Sequence, residues 1–403
     1  MARRIFFGRR PVSRVVSVCL GLALGGPVFA TTAFAVDAPA TEGDAPAPLK
    51  THLDEYRELL AAHNRAWEDY EKIAAPYWQS VTEKRSRRRT KMANGLTLTE
   101  ADYVMEQPPA FTGPPKPDNP LAPKTKSPIP DVQEFLAAAK AEYDFEPERP
   151  QSEVAFKRAY AQFAAAKGIE AKVAVKIYAF EAGGDGQHDI QAGREHDPKG
   201  KVISTALGYN QLLTTNTIGL LAEAGSEFIG TLKESAAIAD GPRRQALERK
   251  IANLRKMVAF ARTVPNDWNA HGRLASTPKG IGVHALNLDI DIGPMLQTRK
   301  LTNSINFAKA KGYDATLTAA ELEMMNLTGD GNGFDMLTMP PILREIVPTS
   351  NFFQRGGYER NPVAARNNTV SKLLAATDEK MEREMRKQGA KDLAAAFDAV
   401  ALR

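Results

Sequence analysis

One helix organises this chain: Val173-Ala-Val-Lys-Ile-Tyr-Ala-Phe-Glu181-Ala-Gly-Gly184. The run before Glu181 is mostly apolar, and the two glycines after it favour a helix end, because glycine readily takes the left-handed C-cap conformation. The sequence therefore predicts a helix that closes on a glutamate. Burial against an apolar face and the negative end of the helix dipole both disfavour the ionised carboxylate. We expect a pKa raised towards neutrality, which suits a proton donor near pH 7.

Two later segments extend this pattern. The first is Ala206-Leu-Gly208-Tyr-Asn-Gln211-Leu212, and the second is Leu317-Thr-Ala-Ala-Glu-Leu-Glu-Met-Met-Asn326-Leu-Thr-Gly329-Asp-Gly331. Taken in order with Glu181-Ala-Gly-Gly, they resemble the motifs of lytic transglycosylases and goose-type lysozymes. The chain departs from the family pattern at Ala182, at Asn210 and at Met325. Met325 replaces a tyrosine of the family, and the third segment needs one inserted residue.

The resemblance implies a mainly α fold, that is, a lysozyme-like α+β catalytic domain with a small β-element. It covers roughly residues 170–360. It implies that Glu181 is the catalytic acid/base and that the glycan is bound by a set of residues from the other motifs: Gly208, Tyr209, Gln211, Asn326 and Tyr358. For Gln211 a polar cap at a helix start is the alternative role.

The same resemblance implies a substrate and a reaction. A lytic transglycosylase cleaves the MurNAc-GlcNAc bond of peptidoglycan with one glutamate and no cofactor, and yields a 1,6-anhydro product. A hydrolytic muramidase is an alternative, and it needs a second carboxylate, for which Asp185 and Asp189 are the candidates by sequence. A non-catalytic cell-wall-binding or scaffold protein on the same fold is a further alternative.

Two groups of residues offer metal binding as an alternative to this interpretation. Asp330-Gly-Asn332-Gly-Phe-Asp335 resembles the start of a calcium loop, but Phe334 and Asp335 stand where an EF-hand has an oxygen ligand and a glycine. A metal-dependent hydrolase would have to draw on scattered residues without tight ligand spacing: His188, His196, His271, His284, Asp189 and Asp289. We therefore expect no metal.

The N-terminus predicts export. Five arginines precede an apolar run from Val15 to Ala30, and Ala33-Phe34-Ala35 forms a cleavage site before Val36. The run is too short for a stable membrane span. Arg3-Arg4 also fits a twin-arginine signal, so the export route stays open. We expect the mature protein in the periplasm or outside the cell.

Removal of this signal changes the charge. The whole chain has 53 basic and 48 acidic residues, and the five arginines of residues 1–35 account for the difference. A neutral mature chain argues against nucleic-acid binding. The only cysteine, Cys19, lies in the signal, so disulfides cannot stabilise the mature fold.

Two further segments precede the motifs. Apolar residues at helical spacing from Leu53 to Tyr77 predict a long amphipathic helix, kinked or broken before Pro76. We expect its aromatic stripe to pack against the rest of the protein, and binding of a cell-envelope protein partner is the alternative. The run Lys84-Arg-Ser-Arg-Arg-Arg89 predicts a solvated helix end, with binding of an anionic polymer or lipid as the alternative. Nine prolines between Pro108 and Pro130 predict an extended connector.

The predicted organisation follows from these segments. It begins with an export signal (1–35), a disordered leader (36–48) and a helical N-terminal arm (49–107). A proline-rich linker (108–130), a lysozyme-like catalytic domain (131–365) and a C-terminal helix (366–403) follow. Within the catalytic domain, 202–204 and 281–284 are the segments with strand character.

Overall fold

A computed structural model describes residues 47–121, 129–194 and 199–402. Sixteen α-helices run through these residues, and three short 3-10 turns lie at Glu100–Asp102, Ala285–Leu288 and Thr349–Asn351. In chain order the helices are α1 Ala47–Ala93, α2 Val132–Tyr143, α3 Glu153–Ala166, α4 Ala171–Glu181, α5 Thr214–Ile238, α6 Gly241–Ala261, α7 Trp268–Ala275, α8 Pro278–His284, α9 Gly293–Ala310, α10 Ala319–Thr328, α11 Asp330–Thr338, α12 Pro341–Arg344, α13 Arg355–Glu359, α14 Pro362–Arg366, α15 Val370–Glu384 and α16 Gln388–Ala401. The fold is mainly α, as the sequence predicts.

The chain divides into two compact units, residues 1–57 and 58–403. Of the first unit, the described part is the beginning of α1. The export signal (1–35) lies outside the described residues, as do residues 36–46 of the predicted leader. Among the described residues, no helix combines the length and the apolar composition that a membrane crossing requires.

Side-chain caps fix where several helices begin. Asp131 accepts hydrogen bonds from the backbone N–H groups of Gln133 and Glu134 at the start of α2, and Thr318 accepts one from Glu321 at the start of α10. Such caps satisfy N–H groups that have no partner within the helix. The Thr318 cap matters for the site, because it sets the register in which α10 presents its later residues.

Both predictions of a short strand are wrong. Residues 281–284 form the last turns of α8 instead of a strand, because Thr277 caps the helix and Pro278 supplies its first residue. Residues 202–204 form no strand either. In this region the described β-structure is limited to isolated bridges, which pair Gln191 with Leu207 and Leu207 with Leu212. Helix α1 also continues through Pro76 without a break.

Three apolar clusters hold the second unit together. The first cluster lies among α2, α5, α6 and α8, with Phe228 and Leu254 in its interior. The second lies among α3, α4, α9, α10 and α16, and it buries residues 173–179 of α4. Burial of that many aliphatic and aromatic side chains fixes α4, since each contributes roughly 1.5–3 kcal/mol relative to an exposed position. The end of α4 is therefore a rigid place for a functional group.

The third cluster joins α1 to the region after residue 324. It contains Tyr70 and Trp78 from α1 together with Met336, Phe352 and Tyr358. The N-terminal arm from residue 58 onward thus packs in the same compact unit as the predicted catalytic domain. The aromatic face of α1 is the face that packs into the third cluster.

The basic run at the end of α1 is only partly solvated, which corrects the prediction: Arg87 and Arg89 are exposed, but two other arginines of the run are buried. Arg85 is 5% exposed and Arg88 is fully buried. Arg88 donates to the carbonyls of Asp102 and Asn351, and Arg85 donates to those of Asn351 and Phe353. Guanidinium groups tolerate this burial because they can satisfy several carbonyls at once.

The C-terminal segment is two helices instead of the predicted one. Helix α15 ends at Glu384, and α16 begins at Gln388. Both pack against α4. The segment therefore belongs to the surroundings of Glu181, although the family motifs do not reach it.

Candidate active site

Glu181 is the last residue of α4, as the sequence predicts. Ala182 follows as the C-cap and donates its N–H to the carbonyl of Tyr178. Gly183 and Gly184 then have φ values of +63° and +77°, which is the left-handed region that glycine favours. The glutamate is partly exposed, whereas the seven residues 173–179 before it are buried.

Asn326 lies beside this glutamate. Its Nδ2 donates a hydrogen bond of 2.6 Å to Oε1 of Glu181. Asn326 is on α10 and partly exposed, so both side chains reach the same partly open position from two helices. The first and third family-like motifs thus meet at one hydrogen bond.

Glu323 completes the group, and the sequence reasoning missed it. It lies three residues before Asn326 on α10, which places both side chains on one helix face. Glu323 is fully buried, and its carboxyl lies beside that of Glu181, close enough for a hydrogen bond when one of the two is protonated. The signal that could have found it is an acid embedded in the apolar sequence Leu322-Glu-Met-Met325.

Burial dominates the electrostatics of this pair. It raises the pKa of Glu181 to about 7, while Glu323, Lys380 and Asn326 oppose the rise by stabilising the carboxylate. Burial, and then the negative charge of Glu181, raise the pKa of Glu323 well above its usual range. Because two carboxyls in contact do not both ionise readily, and Glu323 is fully buried, the pair holds at least one proton at neutral pH.

Lys380 of α15 brings a positive charge to the pair. Its Nζ lies 3.9 Å from the centre of the Phe180 ring and donates to the Phe180 carbonyl at 3.1 Å. A cation at the C-terminus of α4 also offsets the negative end of the helix dipole. The C-terminal helices therefore tune the site that α4 and α10 build.

The Gly208 turn is fixed by hydrogen bonds of its own. Gly208 has a φ of +80°, and Gln211 has a φ of +42°. Nε2 of Gln211 donates to the carbonyls of Gly208 and Ile190, and does not cap α5, whose N-cap residue is Leu213. Gln297 of α9 accepts from the Asn210 N–H through Oε1 at 2.8 Å and holds the turn from the other side.

Tyr209 lies in the core and not on an open surface. It is fully buried, its ring centre is 4.7 Å from that of Tyr178, and its hydroxyl donates to Glu153. The Glu153 carboxylate is also hydrogen-bonded to the His188 ring, with 2.9 Å between Glu153 Oε2 and His188 Nδ1. Tyr209, which was predicted to bind the glycan, thus contributes to packing beneath α4.

The remaining predicted residues lie elsewhere. Tyr358 is buried in the third apolar cluster, with its ring centre 5.6 Å from that of Trp78. Asp185 accepts from the N–H of Gly389, and Asp189 forms an ion pair of 2.6 Å with Arg149. The carboxyl that meets Glu181 is therefore that of Glu323, and not one of the two aspartates predicted for this role.

Metal ligands do not converge in the described part of the chain. No group of three or more histidine, cysteine, aspartate or glutamate residues is placed there to hold an ion. His284 bonds to Thr205 and Thr217, and His188 bonds to Glu153. His196 lies outside the described residues. The predicted calcium-like segment forms α11, where Asp330 accepts from Ser304.

A groove of about 610 Å³ lies beside the first half of α4. Its lining includes Val173 and Lys176 of α4, Leu317 and Glu321, and Asp378 of α15. Lys176 is paired with Asp378 at 2.7 Å and with Glu382 at 2.6 Å. Helices α4, α10 and α15 thus form the walls of this groove and also carry Glu181, Asn326 and Lys380.

Comparisons with known proteins give no match: no protein-family model, no curated protein and no solved structure corresponds to this chain.

Proposed function

We propose that this chain is a peptidoglycan lytic transglycosylase in which Glu181 is the single acid/base. The observation that carries the proposal is the hydrogen bond between Asn326 and Glu181, because it joins two segments that resemble motifs of that family. A glutamate with its pKa raised to about 7 suits the role, since it is protonated in a useful fraction at neutral pH.

The reaction follows from one carboxyl acting twice. Protonated Glu181 gives its proton to the glycosidic oxygen, and the bond from the MurNAc C1 to that oxygen breaks. The substrate's own N-acetyl group assists at C1. The Glu181 carboxylate then takes the proton of the MurNAc 6-hydroxyl, whose oxygen bonds to C1 and forms the 1,6-anhydro product. Asn326 keeps the carboxyl in one orientation through both steps.

The position of Glu323 favours this reaction over two-carboxylate hydrolysis. Catalytic carboxyls flank the sugar at roughly 5–5.5 Å in retaining and 6.5–9.5 Å in inverting glycosidases. Carboxyls in hydrogen-bonding contact have oxygens about 2.5–3.0 Å apart, which leaves no room for a sugar between them. Glu323 therefore supports Glu181 from behind and does not face it across a substrate.

The proposed surroundings follow from the same function. The substrate is the glycan strand of peptidoglycan, the protein acts after export in the periplasm or outside the cell, and the N-terminal helix is a candidate contact for an envelope protein. A wall-binding protein that keeps the fold without turnover is the alternative of a different class, and a hydrolytic muramidase is the alternative within the same class.

Mass spectrometry of soluble fragments from purified sacculi tests the proposal. Sacculi are incubated with the mature protein, with Glu181→Gln and with Glu170→Gln, a control that changes an exposed glutamate at the other end of α4. We expect anhydro-muropeptides from the wild type and from Glu170→Gln, and none from Glu181→Gln. Fragments with reducing ends would show a muramidase instead. Sacculi that bind all three proteins but release nothing would refute the enzyme.

A further inference from the structure

Glu323 is a buried acid without an ordinary partner. It is fully buried, and neither carboxyl oxygen has a hydrogen-bond partner among the described residues. The nearby Asn326 amide and Lys380 charge favour its ionised form, but burial is the larger effect. A carboxylate in such a place would lack the hydrogen bonds that stabilise its charge, so the neutral acid is the favoured form. The neutral acid has one O–H to donate, and the Glu181 carboxyl is the acceptor in contact with it.

Two other groups act on the carboxyls of Glu181 and Glu323. Asn326, on the same helix as Glu323, already donates to Oε1 of Glu181. Lys380 of α15 adds a positive charge, but its amine donates to the Phe180 carbonyl. Glu181 itself comes from α4. Among the described residues, the donors that contact the Glu181 carboxyl are the Asn326 amide and, when protonated, the Glu323 carboxyl, whereas Lys380 acts through its charge.

We propose that Glu323 is a positioning residue that stays protonated at neutral pH and donates its O–H to the carboxylate of Glu181. This role rests on the proposed acid/base function of Glu181, but the protonated state of Glu323 does not. The proton of Glu323 is not consumed in the reaction. It remains on Glu323 while Glu181 gives its own proton to the glycosidic oxygen and recovers one from the 6-hydroxyl.

The proposal predicts how the reaction responds to pH. A donor to the carboxylate form of Glu181 makes that form easier to reach, so its loss raises the pKa of Glu181. Glu323→Met removes the donor while keeping an unbranched side chain of similar length. Glu323→Gln keeps a donor, because its amide can turn an N–H towards Glu181. The two variants therefore separate a hydrogen-bonding role from a packing role.

Infrared spectroscopy tests the protonation directly. At about pH 8, the wild type and Glu181→Gln should both show the C=O stretch of a protonated carboxylic acid, and Glu323→Gln should lack it. The wild-type band should persist above the pH at which ordinary carboxyl groups ionise, near 4.3 for glutamate. Absence of the band in the wild type, or its persistence in Glu323→Gln, would overturn the proposal whether or not the protein cleaves peptidoglycan.

The pH profile of anhydro-muropeptide release tests the positioning role. Loss of the acid form of Glu181 sets the alkaline limb, and this limb should move upward by roughly one pH unit in Glu323→Met. Glu323→Gln should restore the wild-type limb. A limb that stays unchanged in a folded Glu323→Met variant would refute the positioning role. If no protein released fragments, the proposed function would fail, and the infrared result would still decide the state of Glu323.

Discussion

Asn326 and Glu181 are 145 residues apart in sequence and are joined by a hydrogen bond of 2.6 Å. The pair links the end of one buried helix to the partly exposed face of another. A donor held this way favours one rotamer of the glutamate and stabilises its charged form. The interaction is therefore the most direct place to test what the site does.

We expect Asn326→Leu to lower peptidoglycan cleavage by about 10- to 100-fold, because a hydrogen bond to a charged group contributes about 1.5–3 kcal/mol. Release of anhydro-muropeptides per unit time measures the effect. Asn303→Leu is the matched control, since Asn303 donates to Glu223 at 3.0 Å in an equivalent but exposed amide–carboxylate pair. Equal rates for the two variants would contradict a role for Asn326 in the reaction.

The buried His284 should make the fold sensitive to acid. Burial lowers its pKa to about 4, and its ring nitrogens bond to Thr205 and Thr217. Because the folded pKa lies below the unfolded value near 6.5, the stability from the neutral ring is complete above pH 6.5 and is lost as pH falls towards 4. The loss is roughly 3 kcal/mol, at 1.36 kcal/mol per pKa unit.

Urea unfolding of the wild type and of His284→Leu at about pH 7 and pH 4.5 measures this contribution. The variant should be less stable at pH 7, where it removes the hydrogen bond from His284 to the Thr205 carbonyl, and should lose less stability on acidification. Comparison of the two proteins cancels other titrations, including the opposite trend from Glu181 and Glu323. The exposed His52→Gln variant should keep the acid response of the wild type. Parallel acid responses of wild type and His284→Leu would contradict the prediction.

Lys250 anchors a group of three carboxylates. Its Nζ lies 2.8 Å from Glu148 and 3.1 Å from the fully buried Asp289, and it also contacts Asp291. Lys250→Met leaves a buried charge uncompensated, so we expect a loss of about 3–5 kcal/mol in the free energy of unfolding.

The control for this substitution is Lys256→Met, an exposed position on the same helix, which should change stability by less than about 0.5 kcal/mol. Chemical denaturation of both variants gives the comparison. A loss below about 1 kcal/mol at position 250 would mean that the three carboxylates are neutralised or hydrated in another way.

Two glycine substitutions should have opposite signs. Gly208 has a φ of +80°, and a Cβ there would lie 2.6 Å from Nε2 of Gln297, so Gly208→Ala should destabilise the protein by about 1–3 kcal/mol. Gly230 lies inside α5, and nothing lies within 4 Å of the Cβ that alanine would add. Gly230→Ala should stabilise by about 0.5–1 kcal/mol. Thermal unfolding measures both, and the same sign for both would contradict the structure.

The sequence predicted the features that depend on neighbouring residues. The helix end at Glu181 follows from two glycines after an apolar run, and the pairing with Asn326 was reachable because both lie in family-like motifs. The prediction of a strand at 281–284 was wrong because a local signal of a helix start was not used. Residues 281–284 read as a strand only while Thr277 and Pro278 are overlooked as a helix start.

Features that depend on distant contacts were not predictable. The burial of Arg88 requires carbonyls at residues 102 and 351, and a run of arginines alone indicates a charged surface. The apolar neighbours of Glu323 could have indicated its burial, but nothing local shows that its helix face turns towards Glu181. Tertiary packing decides both cases.

The burial of Arg88 also bears on the order in which the protein is made and folded. Arg88 and its acceptor Asn351 are separated by 263 residues, and the aromatic residues Tyr70 and Trp78 depend on the same late segment for cover. A chain that emerges N-terminus first therefore presents this helix uncovered for most of its synthesis. In chains that stall before Asn351, chaperones and proteases should bind the uncovered face of α1. Only synthesis of the C-terminal half covers this face and ends such binding.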